Sequence, residues 1–142
     1  MNVLLVGIGN ILRKDDAAGI RAAEEIGRRH RGVDVLIAHG LAPELADTLS
    51  DYDTVVFLDA TLRSRKANVS SVLPRPWGGD PHALDPEGLL WLTQELCGRV
   101  PKRVLLAEIP ARDISVGTAM TPFTRRKVQE AVALVEKELR RK

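Results

Sequence analysis

Short apolar runs alternate along the chain with segments in which apolar residues recur every three or four positions. Runs of the first kind predict strands buried in a sheet, and segments of the second kind predict helices that pack against it. The predicted strands cover residues 2–7, 33–40, 54–58, 68–74 and 102–110. The predicted helices cover residues 18–29, 42–49, 87–98 and 128–139.

This alternation of strands and helices is typical of an α/β domain, and we expect one domain over residues 1–142. Helical connections between the first three strands predict that they are parallel, with right-handed crossovers. The fourth strand alternates Val69, Val72 and Leu73 with serines and ends at Pro74, which is typical of an edge strand. The carboxyl ends of the parallel strands then share one edge of the sheet, where α/β proteins form their sites.

Composition narrows the class of protein. Hydrophobic residues make up 44% and charged residues 28%, as in ordinary globular domains. The formal net charge of +2 and the short basic clusters at 28–31, 63–66 and 125–127 favour a solvated surface over a nucleic-acid partner. The one cysteine, Cys97, excludes an internal disulfide. No apolar run is long enough for a signal peptide or a membrane span, so we expect a soluble cytoplasmic protein.

Four groups of polar or glycine residues stand at the predicted site edge or in the long loop beside it. They are the loop from Gly7 to Asp16, the pair His39-Gly40, Asp59, and His82 in a proline-rich loop. A dinucleotide site is disfavoured because Leu12 stands where a third glycine is needed, and no phosphate-loop lysine motif is present. Two aspartates at a helix start would also repel a phosphate.

The aspartates allow two interpretations. Asp15 and Asp16 suit helix capping or a first helical turn, where carboxylates meet unpaired N–H groups. Asp59 follows an apolar strand, so it needs a partner, a capping duty or a metal. A single histidine such as His82 is usually an exposed loop residue. Together, two carboxylates and an imidazole at one edge predict a divalent metal site for zinc or nickel.

Nucleophile chemistry is disfavoured. Cys97 ends a predicted helix, a position that does not favour a reactive thiolate, and the favoured role is that of a small buried apolar residue. No G-x-S-x-G segment is present to place a serine nucleophile. A standard serine or cysteine hydrolase is therefore not expected.

The segment GIGNILRKDDAAGIRAAEEI resembles the N-terminal signature of the hydrogenase maturation endopeptidases. Members of that family remove a C-terminal extension from the large subunit of nickel–iron hydrogenases after nickel insertion. Three later segments, VVFLDA, DPHALDPEGLLWL and SVGTAMTPFTRRKVQEAV, resemble the family's further motifs in the same order. The residues that match the first motif are Gly7, Gly9, Asn10, Leu12, Asp15, Asp16 and Gly19.

The resemblance implies a three-layer α/β/α sandwich around a mixed, mostly parallel five-stranded sheet. It also implies that Asp16, Asp59 and His82 bind the nickel carried by the substrate, whose place another divalent ion such as zinc or cadmium could take. Asp16 and Asp59 are the expected catalytic residues, and one carboxylate or the metal would activate the attacking water. The expected partner is a hydrogenase large-subunit precursor. We expect the protein itself to be a monomer or weak homo-oligomer, and we expect neither nucleic acid nor a membrane as a partner.

The substrate is expected to meet the loop from Gly7 to Asn10 and the pair His39-Gly40. Backbone N–H groups of the glycine loop could face the oxyanion of the tetrahedral intermediate. Asn10 is better interpreted as a local turn former. The alternative function is a protein of the same fold that recognises the metal site, or acts as a maturation chaperone, without cutting.

Overall fold

The protein is described by a computed structural model covering residues 2–141. Five strands form a sheet: β1 (Val3–Ile8), β2 (Val33–Ala38), β3 (Thr54–Thr61), β4 (Asn68–Ser71) and β5 (Arg103–Pro110). Four α-helices accompany them: α1 (Ala18–Arg29), α2 (Leu45–Leu49), α3 (Pro86–Cys97) and α4 (Pro122–Leu139). Short 3₁₀ helices lie at Lys14–Ala17 and Pro81–Ala83.

The sheet has the order β2-β1-β3-β5-β4, and only the pairing of β4 with β5 is antiparallel. Helices α1 and α4 pack on one face of the sheet, and α2 and α3 pack on the other. The predicted three-layer sandwich with a mixed sheet is therefore confirmed. The predicted edge position of β4 is also confirmed.

Side chains from successive strand residues enter opposite layers. In β1, Leu5 packs with α1 and α4, whereas Leu4 and Val6 pack with α2 and α3. Phe57 of β3 is fully buried, and burial of such a side chain stabilises the fold by roughly 2–3 kcal/mol. No helix within residues 2–141 is long and apolar enough to cross a bilayer.

The pairing between β1 and β3 ends before either strand does. Their pairing ends at Gly7 and Leu58, after which β1 continues along β2 while β3 continues along β5 as far as Thr61. The predicted strand ran from Thr54 to Leu58 and ended at Asp59, whereas β3 continues to Thr61 because it stays paired with β5. Asp59 is thus the first residue of β3 beyond its pairing with β1.

Helix α1 begins against the carboxyl ends of β1 and β3. Gly19 lies so close to the sheet that a Cβ would overlap the carbonyl oxygen of Leu58 and lie 2.9 Å from that of Ile8. Only glycine permits this approach. The first turn of α1 and the preceding 3₁₀ helix are thereby held against the ends of β1 and β3.

Asp15 connects the amino-terminal loop to the opposite end of the chain. Its side chain is 0% exposed. Its carboxylate accepts hydrogen bonds from the backbone N–H groups of Arg112, Asp113 and Thr121 at 2.7 to 3.0 Å. The hydroxyl groups of Thr121 and Thr124 lie 2.8 and 2.9 Å from the same carboxylate. Asp15 therefore fixes the segment between β5 and α4 against the 3₁₀ helix.

The predicted role of Asp15, a helix cap or first-turn residue, is only partly supported by the structure. Asp15 does lie in the first turn of a 3₁₀ helix, but its side chain makes no capping bond there. Burial by itself raises the pKa of Asp15, but the N–H groups of Thr121, Arg112 and Asp113 and the Thr121 hydroxyl outweigh it. The pKa of Asp15 therefore falls below its usual value of 3.8.

We expect Asp15→Asn to lower the free energy of unfolding by roughly 2–3 kcal/mol. The two carboxylate oxygens of Asp15 now accept all of these hydrogen bonds, whereas an amide has only one acceptor oxygen. Because the folded pKa is depressed, the charged form stabilises the fold above pH 3.8, and that contribution disappears as the pH falls through the folded pKa. Urea denaturation at pH 7 and at pH 3 measures both effects. The exposed Asp47→Asn is the matched control, and equal stability of the two variants at pH 7 would refute the role of Asp15.

Candidate active site

A cleft of about 390 Å³ lies at the carboxyl ends of β3 and β5. Three carboxylates face it: Asp16 from the 3₁₀ helix, Asp59 from β3 and Glu108 from β5. All three residues are half-buried, and none forms an ion pair with another side chain of residues 2–141. The remaining lining residues are mainly apolar or small: Ala60, Thr61, Leu62, Arg63, Pro86, Leu106, Ala111 and Ile114.

Glu108 was not anticipated from the sequence. It stands directly beside Asp59, because the two residues are register partners in the parallel pairing of β3 and β5. The available signal was a single carboxylate interrupting the apolar run of β5 two residues before its end. Glu108 lies beside Asp59 only because β5 is next to β3 in the sheet, and the sequence analysis did not predict that strand order.

Burial and the negative charge of the cleft change the pKa of Asp59. Burial and the neighbouring charge of Asp16 raise the pKa of Asp59 from 3.8 to about 6, with a smaller contribution from Glu108. The backbone N–H of Ala60 opposes this shift. A carboxyl with a pKa near 6 can exchange a proton close to neutral pH, as general acid–base chemistry requires. Such perturbed groups in clefts are typical of functional sites.

Gly9 fixes the position of Asp16. Its φ angle is +148°, and a Cβ at this position would overlap the carbonyl oxygen of Asp16. The N–H of Gly9 donates to the carbonyl of Ala38 at 3.0 Å. This N–H therefore already has an acceptor, and the expectation that N–H groups of the Gly7–Asn10 loop face an oxyanion stays a prediction. The glycine instead permits close packing of the loop on the 3₁₀ helix.

The other predicted substrate residues occupy different surroundings. Gly7 is buried inside β1 and paired on both sides, so it does not face the substrate here. The side chain of Asn10 accepts the N–H of Leu12 at 2.9 Å, which supports the interpretation as a turn former. His39 is exposed, and its Nδ1 lies 3.1 Å from the carbonyl oxygen of Gly9. Its neighbour Gly40 is also exposed, and substrate contact by either stays a prediction.

His82 is not part of the cleft lining. It is exposed in the second 3₁₀ helix, where Asp80 accepts its backbone N–H at 2.9 Å. Its loop leads four residues later to Pro86, which does line the cleft. Within residues 2–141 no three His, Cys, Asp or Glu side chains stand close enough to hold a metal ion. The structure thus brings Asp16 and Asp59 together and leaves His82 apart.

The chain was compared with known proteins. No protein-family model matches it. It is 24% identical over 151 residues to "Hydrogenase 2 maturation protease" of Escherichia coli, covering 99% of this chain and 92% of the relative. It is 28% identical over 143 residues to "Hydrogenase expression/formation protein HupD" of Bradyrhizobium diazoefficiens, covering 93% of this chain and 74% of the relative.

Solved structures of hydrogenase maturation endopeptidases share the fold of this chain. The hydrogenase maturating endopeptidase HybD from E. coli superimposes with a TM-score of 0.80 at 22% identity, covering 99% of this chain and 93% of that chain. The maturation protease HybD from Thermococcus kodakarensis matches with a TM-score of 0.67 at 25% identity, covering 97% and 99%. The resemblance to the hydrogenase maturation endopeptidases is confirmed. The carboxylate cleft described above therefore lies in a protein with the fold of the hydrogenase maturation endopeptidases.

The raised pKa of Asp59 gives a pH-dependent stability prediction. The ionised form costs folding free energy, and this cost is absent below pH 3.8 and complete above about pH 6. Asp59→Asn should therefore stabilise the fold by roughly 1–2 kcal/mol at pH 7.5, allowing for solvent screening. Chemical denaturation at pH 7.5 and pH 4 measures the difference, which should shrink at the lower pH. Equal gains at both pH values would contradict the assigned pKa.

Gly9→Ala should displace Asp16 without changing any carboxylate. The added methyl group overlaps the Asp16 carbonyl and the backbone is strained at φ +148°, so we expect a lower midpoint of thermal unfolding. The distortion should also lower the pKa of Asp59, because the charge of Asp16 moves away from it. Carboxyl titration by NMR measures this change. Gly32→Ala, also at positive φ but with nothing within 4 Å, is the control for backbone strain alone.

Proposed function

We propose that this protein is an endopeptidase that removes the C-terminal extension of a nickel–iron hydrogenase large-subunit precursor after nickel insertion. The observation that carries the proposal is the convergence of Asp16 and Asp59 on one cleft at the carboxyl edge of the sheet. Both positions belong to motifs that resemble those of the family. The names of the curated relatives and structural neighbours support the same role.

In this proposal the nickel belongs to the substrate. Asp16 and Asp59 supply hard oxygen ligands to a cation that the precursor brings into the cleft. An ion that arrives with the substrate keeps ligands from the substrate, so the protein does not need to supply a full set. Two converging carboxylates, with His82 as a possible third ligand outside the cleft, agree with this. His82 would complete the coordination when its exposed side chain turns toward the bound precursor.

The chemical step is hydrolysis of one peptide bond. A water molecule attacks the scissile carbonyl, and a cleft carboxylate accepts the proton that this water releases. In the protein alone, the pKa of Asp59 is about 6, so its carboxylate is mostly ionised at neutral pH and able to bind the cation or accept the proton. The tetrahedral intermediate then collapses, the C–N bond breaks, and the leaving amine takes the proton. The extension is released with a free amino terminus.

The direct test incubates the purified protein with a nickel-loaded precursor and follows the mass of the precursor. We expect loss of a C-terminal peptide with wild-type protein, and a drop in rate of at least about 100-fold with Asp16→Asn or Asp59→Asn, as is usual when a general base or metal ligand is removed. Both variants should remain folded, because neither carboxylate has an ion-pair partner within residues 2–141.

The matched control is Asp47→Asn, an exposed carboxylate in α2 on the surface of the helix. It should process the precursor at the wild-type rate. Normal processing by both site variants would refute the assignment of Asp16 and Asp59. Binding of the precursor without any loss of mass would instead favour a recognition protein that does not cut.

A further inference from the structure

Three large apolar side chains are strongly exposed in loops at the carboxyl edge of the sheet. Val116 is 81% exposed, Leu62 59% and Leu12 58%. They come from the loops that follow β5, β3 and β1, so all three stand at the same edge of the sheet. Contiguous apolar surface of this kind marks interaction sites more often than isolated exposed residues do.

The backbone makes these side chains neighbours. The N–H of Gly117 donates to the carbonyl oxygen of Leu12 at 2.8 Å, which places Val116 beside the β1 loop. The Arg13 Nε donates to the carbonyl of Ile114 at 3.0 Å. Ile114 and Leu62 both line the acidic cleft. We call Leu12, Leu62, Ile114 and Val116 together the apolar rim.

The rim is held in place on one side before any partner binds. The N–H of Lys14 donates to the carbonyl of Gly117 at 2.9 Å, and the Lys14 side chain pairs with Asp113 at 3.0 Å. The buried Asp15 carboxylate anchors the same two segments. A surface that is already ordered loses little conformational entropy when it binds.

The charge of the cleft limits what the rim can bind. Three carboxylates, Asp16, Asp59 and Glu108, outnumber the one basic lining residue, Arg63, and form no ion pair within the described part of the chain. The cleft is therefore net negative and favours an occupant that carries positive charge. A free metal ion would not contact the rim. A second copy related by a two-fold axis would bring two acidic clefts together, which like-charge repulsion disfavours. A peptide with a cation flanked by apolar side chains fits both features.

We propose that the apolar rim docks the stretch of precursor polypeptide flanking the metal, through apolar side chains on either side of the cation. This inference rests on the proposed function and adds that recognition depends on apolar residues of the substrate near the cut. The rim contributes to binding, whereas the carboxylates carry the chemistry. Changes at the rim should therefore act on KM and leave kcat unchanged.

The experiment compares wild-type protein with the double variant Leu12→Ser/Val116→Ser. Both side chains are more than half exposed, so the variant should fold with an unchanged midpoint of thermal unfolding. Steady-state processing of the nickel-loaded precursor should show a KM increased about tenfold or more and a kcat within about twofold. The control is Leu73→Ser/Leu96→Ser, which removes two leucines, 72% and 67% exposed, that lie outside the apolar rim, one after β4 and one in α3.

Binding of the intact precursor, measured by surface plasmon resonance, is the second readout. An unchanged KM in the rim variant, with wild-type processing intact, would overturn the docking inference and leave the protease assignment standing. Binding that is lost in the rim variant, with no processing by wild type, would support docking and refute the protease assignment. If wild type neither binds nor cuts the precursor, both proposals fall. An equal loss of affinity in the control would also overturn the inference.

Discussion

The buried carboxylate of Asp15 fixes the geometry on which the candidate site depends. It holds the N–H groups of Arg112 and Asp113 and the start of α4 at Thr121 within hydrogen-bonding distance of the 3₁₀ helix. Asp16 follows directly in the chain and faces the cleft. A single buried charge, fully hydrogen-bonded, thus joins two distant segments and places the next carboxylate at the site. The same anchor orders one side of the apolar rim.

A second constraint comes from strand pairing. Strand β3 pairs with β1 only as far as Leu58 but with β5 as far as Thr61, and this longer pairing sets Asp59 and Glu108 side by side. Three carboxylates then share one cleft, none of them in an ion pair within residues 2–141, and the pKa of Asp59 rises to about 6. The fold tolerates this repulsion because its two apolar layers lie elsewhere. Unfavourable charge kept at a site is a mark of function.

The sequence predicted the sheet well because apolar runs and helical periodicity are local signals. It predicted Asp59 near the edge and β4 at the margin of the sheet for the same reason. It missed the extension of β3 and the placement of Glu108, since both depend on β5, which is distant in sequence. It also assigned Asp15 a local cap, whereas the partners of Asp15 lie about a hundred residues away. Local propensity cannot identify such partners. The metal role of His82 stays a prediction.

Nickel X-ray absorption tests most directly the claim that Asp16 and Asp59 bind the cation carried by the precursor. The spectrum of the loaded precursor is recorded alone and in a complex with this protein frozen before turnover. We expect additional oxygen ligands at the nickel in the wild-type complex, and their loss with Asp16→Asn/Asp59→Asn. A nickel spectrum that does not change when the wild-type protein binds would contradict it.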